Sequence, residues 1–355
     1  MLENAVLSTD DCLMTEEDIY FFANEINALC KLNCRDGNVT IISDIPGEQY
    51  FGVHLISAIM NVENDIILTP LLASKIWRYN MESGNWMSYN RKTIDFPRPH
   101  SGMAQIVPFE NKIFVVGSFY PAIIVINTLN NKMEYIEGPY SYYNQLENAG
   151  KDIYFRRDHI VIGDTLYLPS CIDNSILKLD MSSYQFEIVK AGREGNAFSG
   201  IDFDGKNFFL SPRKGEMLTI WDGKNNYDEI FIGETKKDTS MVEYTGVIYW
   251  EGDIILPAYI GNRSVVVEKS GKVSAYEKEY YFMKKVNRDV RVSQDREGTV
   301  EICRGAERKK YSLSLCREYL YEFVRQAGAG NRVMIENKAI DLDFYLDLIV
   351  HEHKK

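Results

Sequence analysis

The chain has 355 residues, of which 45% are hydrophobic and 26% charged, an ordinary composition with ample material for a core. Its 40 Lys and Arg against 51 Asp and Glu give a formal charge of −11. That balance argues against a nucleic-acid or anionic-membrane partner, because phosphate binding depends on clustered Lys and Arg.

The first residues, MLENAVLSTDDCLM, carry neither the basic block nor the apolar block of a secretory leader. No apolar run approaches the roughly 18 residues of a membrane-spanning helix. A cytoplasmic location is therefore expected. Of the six cysteines, Cys12, Cys30, Cys34, Cys171, Cys303 and Cys316, only Cys30 and Cys34 are close, and a second pair at zinc spacing is missing. They read as buried, reduced thiols, and neither a metal nor a cofactor is expected.

A repeat runs along the chain from Asp18, with further copies starting at Asp65, Lys112, Asp164, Lys206 and Asp253 and a weaker one at Thr299, at intervals of about 46 residues. Each copy opens on a short apolar strand, often closing on Pro (Pro70, Pro169, Pro212, Pro257). A polar turn and an alternating strand follow, for example Ile76, Arg78 and Asn80 against Trp77 and Tyr79. A tight turn such as ESGN, LNNK or SSYQ then leads into a third strand. One more strand precedes each copy. These preceding strands start near Cys12, His54, Gly102, Asp158, Phe198, Thr245 and Asp289.

Four short antiparallel strands per period are the signature of a β-propeller blade. The 23 tyrosines and the aromatic share of 12% fit pleated, half-buried surfaces. The expected fold is an all-β, seven-bladed propeller of four-stranded antiparallel blades over residues 1–312, with six blades and an irregular cap as the alternative. The seventh copy appears without an outer strand, and Glu3–Ser8 is expected to supply one.

With KIWRYNMESGNW (Lys75 to Trp86) in view, the chain resembles the kelch-like, galactose-oxidase-type propeller superfamily. The resemblance spans nearly the whole chain as a repeat and is strongest in that strand–turn–strand with its closing aromatic. The double glycine of that group is absent. Only Gly117 stands near its place, and the resemblance carries no catalytic residue to any position here.

From Tyr311 the period changes. Leu313, Cys316, Leu320, Phe323 and Ala327 fall on one helical stripe, with Gly328 as C-cap. Leu342, Tyr345, Leu346, Ile349 and Val350 do the same after Asp341. Residues 313–355 are thus expected to form a tail of two amphipathic helices, packed on the propeller or serving self-association.

The connectors between blades and the turns after each second strand share one face, where propellers commonly hold ligands. The longest connector, GPYSYYNQLENAGKDIYFRRDH, carries Tyr140, Tyr142 and Tyr143, then Arg156, Arg157, Asp158 and His159. Tyr50, Phe51, Phe198, Tyr244 and Tyr281 extend the aromatic set. Tyr rings pair apolar area with a polar tip, which suits sugars and peptides. Alternatively, each seals its own loop. Arg156, Arg157, Arg213 and Arg263 are candidates to grip an acidic sugar or carboxylate, with a solvated rim as the plain alternative.

The candidate ligand-binding residues are therefore Tyr50, Tyr142, Tyr143, Arg156, Arg157, His159, Arg213 and Tyr244. His54, His100 and His159 near the starts of inner strands are candidate acid–base groups, together with Asp202. No G-x-S-x-G, H-E-x-x-H or P-loop is present. The sequence reads first as a non-enzymatic binding or scaffold propeller for a glycan, peptide or partner protein. A lyase or hydrolase working at the connector face is the alternative.

Overall fold

The computed structural model describes residues 4–48, 54–94, 102–147, 152–213, 215–233, 244–259 and 263–326. Strand β1 (Asn4–Val6) comes first. Blade one is β2 (Cys12–Met14), β3 (Asp18–Ala23), β4 (Ala28–Asn33) and β5 (Val39–Asp44). Blade two is β6 (Ile56–Val62), β7 (Asp65–Pro70), β8 (Ile76–Asn80) and β9 (Trp86–Tyr89). Blade three is β10 (Met103–Phe109), β11 (Lys112–Gly117), β12 (Ile123–Asn127) and β13 (Met133–Ile136), followed by helix α1 (Gly138–Tyr143).

Blade four is β14 (Ile160–Ile162), β15 (Thr165–Pro169), β16 (Ser175–Asp180) and β17 (Phe186–Lys190). Blade five is β18 (Phe198–Phe203), β19 (Phe208–Pro212), β20 (Met217–Trp221) and β21 (Tyr227–Phe231). Blade six is β22 (Ile248–Trp250), β23 (Asp253–Leu256), β24 (Ser264–Val267) and β25 (Val273–Tyr276). Blade seven is β26 (Tyr280–Lys285), β27 (Val290–Asp295), β28 (Thr299–Arg304) and β29 (Glu307–Ser312). Strand β30 (Ser314–Cys316) and helix α2 (Arg317–Gln326) follow. Each blade is a four-stranded meander, and its strands pair in chain order. The fold is a seven-bladed β-propeller.

Local chemistry explains the repeat. The third strand of blades one to five ends in, or just before, an Asn or Asp whose side chain accepts backbone N–H groups of the following turn. Asn80 accepts from Ser83 at 2.8 Å, Asp180 from Ser183 at 2.7 Å and Asp222 from Lys224 at 2.8 Å. Asn33 and Asn127 do the same. An Asx side chain that closes its own turn sets where the strand stops. At the other hairpin, two residues join first to second strand in blades two, three, four and six. Glu63, Glu110 and Glu251 each take a positive φ there, as a tight hairpin requires of its first central residue. Burial is heavy in the second strands and fades outward. Every residue of β7 is buried, whereas β17 and β21 are mostly exposed.

The described residues fall into two compact units, those within 1–92 and 285–326, and those within 93–284. In the first, Phe22, Leu29, Leu55, Ile66, Leu68 and Trp77 form the core between blades one and two. The Trp77 indole donates to Glu48 Oε1 at 2.9 Å and meets Trp86 edge to face at 6.0 Å. In the second, Phe114, Val116, Tyr140, Tyr143, Tyr154 and Leu168 pack between blades three and four. Phe198, Leu210 and Trp221 pack between blades four and five, and Leu218, Tyr244 and Leu256 between five and six.

Three expectations are corrected. Blade seven supplies all four of its own strands. A regular period places its second strand at Thr299. Only three residues separate β25 from β26, so the blade begins early, Tyr281 lies in a strand, and Thr299 opens the third strand instead. Consequently β1 completes no blade. It pairs with β30, Ala5 opposite Leu315, in a separate two-stranded sheet.

Leu313 and Cys316 therefore precede the helix rather than lie on its stripe, and Cys316 is exposed. The Ser-Leu-Ser-Leu-Cys run alternates with period two, and the open edge of β1 takes up its backbone groups. β30 thus follows blade seven as the partner strand of β1. The second tail helix lies outside the described residues. No described helix is long and apolar enough to cross a membrane.

Candidate functional site

The predicted arginine cluster assembles inside the 93–284 unit. Residues 152–158, leading into blade four, are held by neighbours on both sides. The Tyr154 N–H donates to Ser118 O at 2.8 Å, and the Cys171 N–H donates to Tyr154 O at 2.9 Å. Gln105, two residues into β10 at a β-bulge, donates its amide to Arg156 O at 2.8 Å. Arg156 is half-buried. Its guanidinium donates to Tyr244 O at 3.2 Å and lies 5.9 Å over the Tyr259 ring. Arg213 follows the Pro212 that ends β19, and it is only 7% exposed. It makes a two-pronged ion pair with Asp152, with Nε to Oδ2 at 3.2 Å. Among the described residues its remaining terminal nitrogen, Nη1, has no hydrogen-bond partner, and neither does the buried Gln105 Oε1.

The electrostatics of this corner are those of crowded cations. Burial, then the Arg213 charge, lowers the Arg156 pKa to about 10. Asp158 sits below, wedged against Gly200 and Gly246, and accepts the Val247 N–H at 3.0 Å. Burial, helped by the Asp202 charge, raises its pKa to about 7 against the pull of Arg156 and Arg157. Asp202 is itself buried and accepts the Tyr249 N–H at 2.6 Å. It serves as a link between the first strands of blades five and six.

The sign of the Asp158 effect is fixed by its raised pKa. Between about pH 4 and pH 7 the folded chain holds a proton that the unfolded chain has released, so stability falls as pH rises through that window and levels off above it. Asp158→Asn keeps the acceptor for Val247 and is expected to flatten this decline, which urea midpoints at pH 5 and pH 7.5 will show. Glu25, also raised to about 7 by burial, leaves a residual slope. An unchanged slope in the variant would refute the assignment.

The aromatic platform largely turns inward. Tyr140 and Tyr143 sit on α1 and are 1% and 0% exposed. The Tyr140 hydroxyl both donates to Gly117 O and accepts from Gly117 N–H, each at 3.1 Å. The Tyr143 hydroxyl is bonded to Ser175 Oγ at 3.2 Å. Tyr244 and Phe198 are buried at 4% and 1%. The Tyr143 and Tyr244 rings are built into apolar core clusters, Tyr143 between blades three and four and Tyr244 between blades five and six. Tyr142 is half-buried. Its hydroxyl donates to Asp173 Oδ2 at 3.0 Å, and Lys190 lies 5.7 Å from its ring.

Arg157 and His159 are half-buried, and His159 Nδ1 is 3.4 Å from Arg157 O. Arg263 pairs at 3.3 Å with Glu277 at an exposed position. Tyr50, Phe51 and His100 lie outside the described residues. Gln105, Asp152 and Tyr259 join the site without any linear signal, because only the crossing of distant connectors brings them to Arg156 and Arg213. Among the described residues, no group of three His, Cys, Asp or Glu could hold a metal ion.

A seven-bladed β-propeller is the class this geometry defines. No protein-family model matches the chain, and no curated protein matches it in sequence. Solved structures match its shape. A catalytically inactive variant of virginiamycin B lyase from Staphylococcus aureus, with quinupristin, aligns over 87% of this chain and 94% of its own, at 14% identity and TM-score 0.59. A streptogramin B lyase aligns over 87% and 96%, at 15% identity and TM-score 0.58. A chain of a mitotic checkpoint complex aligns over 82% and 84%, at 8% identity and TM-score 0.57. At such identities the likeness is one of fold.

Proposed function

We propose that this protein is a binding propeller that holds a carboxylate-bearing ligand, an acidic glycan or an acidic peptide segment, against Arg156 and Arg213. The carrying observation is the buried Arg213 Nη1, which has no hydrogen-bond partner among the described residues and feels the charge of a second guanidinium, that of the half-buried Arg156. A buried cationic donor left unmatched costs free energy, and an incoming carboxylate would satisfy it with charge-assisted bonds. The Gln105 Oε1 acceptor, whose own amide donates to Arg156 O, suits a hydroxyl of the same ligand.

The lyases and the checkpoint-complex chain share only the fold with this protein, so the reading rests on the site itself. A protein partner would present the same chemistry through an Asp or Glu side chain.

An array of acidic and neutral glycans and peptides, followed by calorimetry, tests the reading. Acidic members are expected to bind and neutral isosteres not. Arg156→Gln is expected to weaken binding by roughly ten-fold or more, from the charge-assisted bond lost. Equal binding of neutral and acidic members, or unchanged affinity in Arg156→Gln, would defeat it.

A further inference from the structure

A cleft of about 470 Å³ opens in the other unit, between the outer strands of blade seven and the turns of blade one. One wall is the β28–β29 hairpin. Ile302 stands opposite Lys309 and Arg304 opposite Glu307, and the side-chain period of two puts these four on one face with Tyr311. The other wall is the β2–β3 turn, with Glu16 and Glu17, and the turn after β4, with Cys34 and Arg35.

The walls are tied together. The Cys34 N–H donates to Glu17 O at 2.7 Å, which joins the two turns of blade one. The Asn33 side chain accepts the Arg35 N–H at 2.8 Å. The Tyr311 hydroxyl donates to Cys34 O at 2.8 Å and so links blade seven to blade one. The buried Ile302 gives the cleft an apolar lining.

The ionic side chains of the cleft are Glu16, Glu17 and Glu307 against Arg35, Arg304 and Lys309. Four of them satisfy one another. Arg35 pairs with Glu17, and Lys309 with Glu307 at 3.4 Å. Glu16 and Arg304 are left over, and among the described residues their exposed side chains make no ion pair or hydrogen bond. One unmatched anion and one unmatched cation in the same cleft suit a molecule that carries both charges. Burial, then the Asp18 charge, raises the Cys34 pKa against the pull of Arg304 and Lys309. The thiol therefore stays protonated and serves as a wall, not a nucleophile.

We propose that this cleft binds a small zwitterion, an amino acid or a short peptide, with its carboxylate on Arg304 and its ammonium on Glu16. A guanidinium takes a carboxylate through paired, charge-assisted bonds, and the Glu16 carboxylate accepts from the ammonium. Ile302 and the Tyr311 ring receive the apolar part of the ligand. The volume falls in the range of small-molecule sites. The cleft shares no residue with the arginine site, so either reading can fail without the other.

Cys34 reports occupancy in the intact protein. Labelling of the wild type with N-ethylmaleimide, read by peptide mass mapping, follows Cys34 beside the exposed Cys316, which lies outside the cleft and serves as the internal control. The probes are the common free amino acids and the dipeptides glycyl-leucine and leucyl-glycine, each beside its N-acetyl and methyl-ester forms, at millimolar concentration. A zwitterion is expected to slow labelling of Cys34 by about five-fold or more, the scale of a mostly occupied site, and to leave Cys316 unchanged. The capped forms, each lacking one charge, are expected to leave Cys34 fast.

Arg304→Gln and Glu16→Gln, both at side chains with no partner to lose, are each expected to need about ten-fold more zwitterion for the same protection. Protection by free amino acids alone, or by the dipeptides alone, separates the two sources. No protection by any zwitterion, equal protection by the capped forms, or unchanged protection in the two variants overturns the inference.

Discussion

Gly117→Ala is expected to lower stability by about 3 kcal/mol, the upper end for forced overpacking of a close-packed site. A Cβ at this position would drive into the carbonyl oxygen of Tyr120 and come within 2.7 Å of that of Ala122. Both obstacles are backbone, so no side chain can swing aside. The same residue exchanges two hydrogen bonds with the Tyr140 hydroxyl, and displacing it would also disturb the aromatic cluster under α1, where Tyr140 meets Tyr154 edge to face at 4.9 Å. Denaturant unfolding measures this directly. A loss below about 0.5 kcal/mol, the range of an ordinary surface change, would show that the loop after β11 yields easily.

Arg213→Met is the second large effect. It removes the cation from a nearly buried pair and leaves the Asp152 carboxylate, 15% exposed, without its main partner. Breaking such a pair from one side costs about 3–5 kcal/mol. The double change Arg213→Met with Asp152→Leu is expected to recover most of that loss, because it removes both charges together. Carboxylate binding should stay lost in the double variant, since Nη1 is gone. Recovery of stability with binding intact would mean that Arg213 is only a strut for the connector. Failure of the double variant to recover would place its contribution in packing of its aliphatic stem.

Most of the architecture was legible because it is local. Strand, turn and strand recur with the Asx residues Asn33, Asn80, Asn127, Asp180 and Asp222 near the ends of third strands, and each closes its own turn without help from elsewhere. Legibility failed where spacing broke. The short link into blade seven hid β26 behind an expected connector, and the start of β30 was read as a helix because Leu313 and Cys316, three apart, satisfy the helical spacing, although Leu313 and Leu315 alternate as a strand does. What decided for a strand was β1, some three hundred residues earlier in the chain.

The site divides in the same way. Arg156 and Arg213 stand out in the sequence because charged residues at strand ends and in a long connector invite a binding role. The tyrosines beside them carry the same signal, yet Tyr140 and Tyr143 face the core. A short helix turns alternate faces of one segment inward, and sequence distance says nothing about which face that is. His54 shows the converse. The sequence marks His54 as a candidate acid–base group, but its partner Asp10 is 44 residues away and carries no signal of the pairing.

The amino-acid sequence by itself determined the repeating four-stranded blades and their turns, because strand periodicity and Asx turns act within a few residues. Only the tertiary structure decided which aromatic rings are sealed in, which guanidinium is left with an unmatched donor, and which histidine meets a carboxylate. Those outcomes depend on desolvation and on contacts between segments far apart in the chain, and no spacing along the chain encodes them.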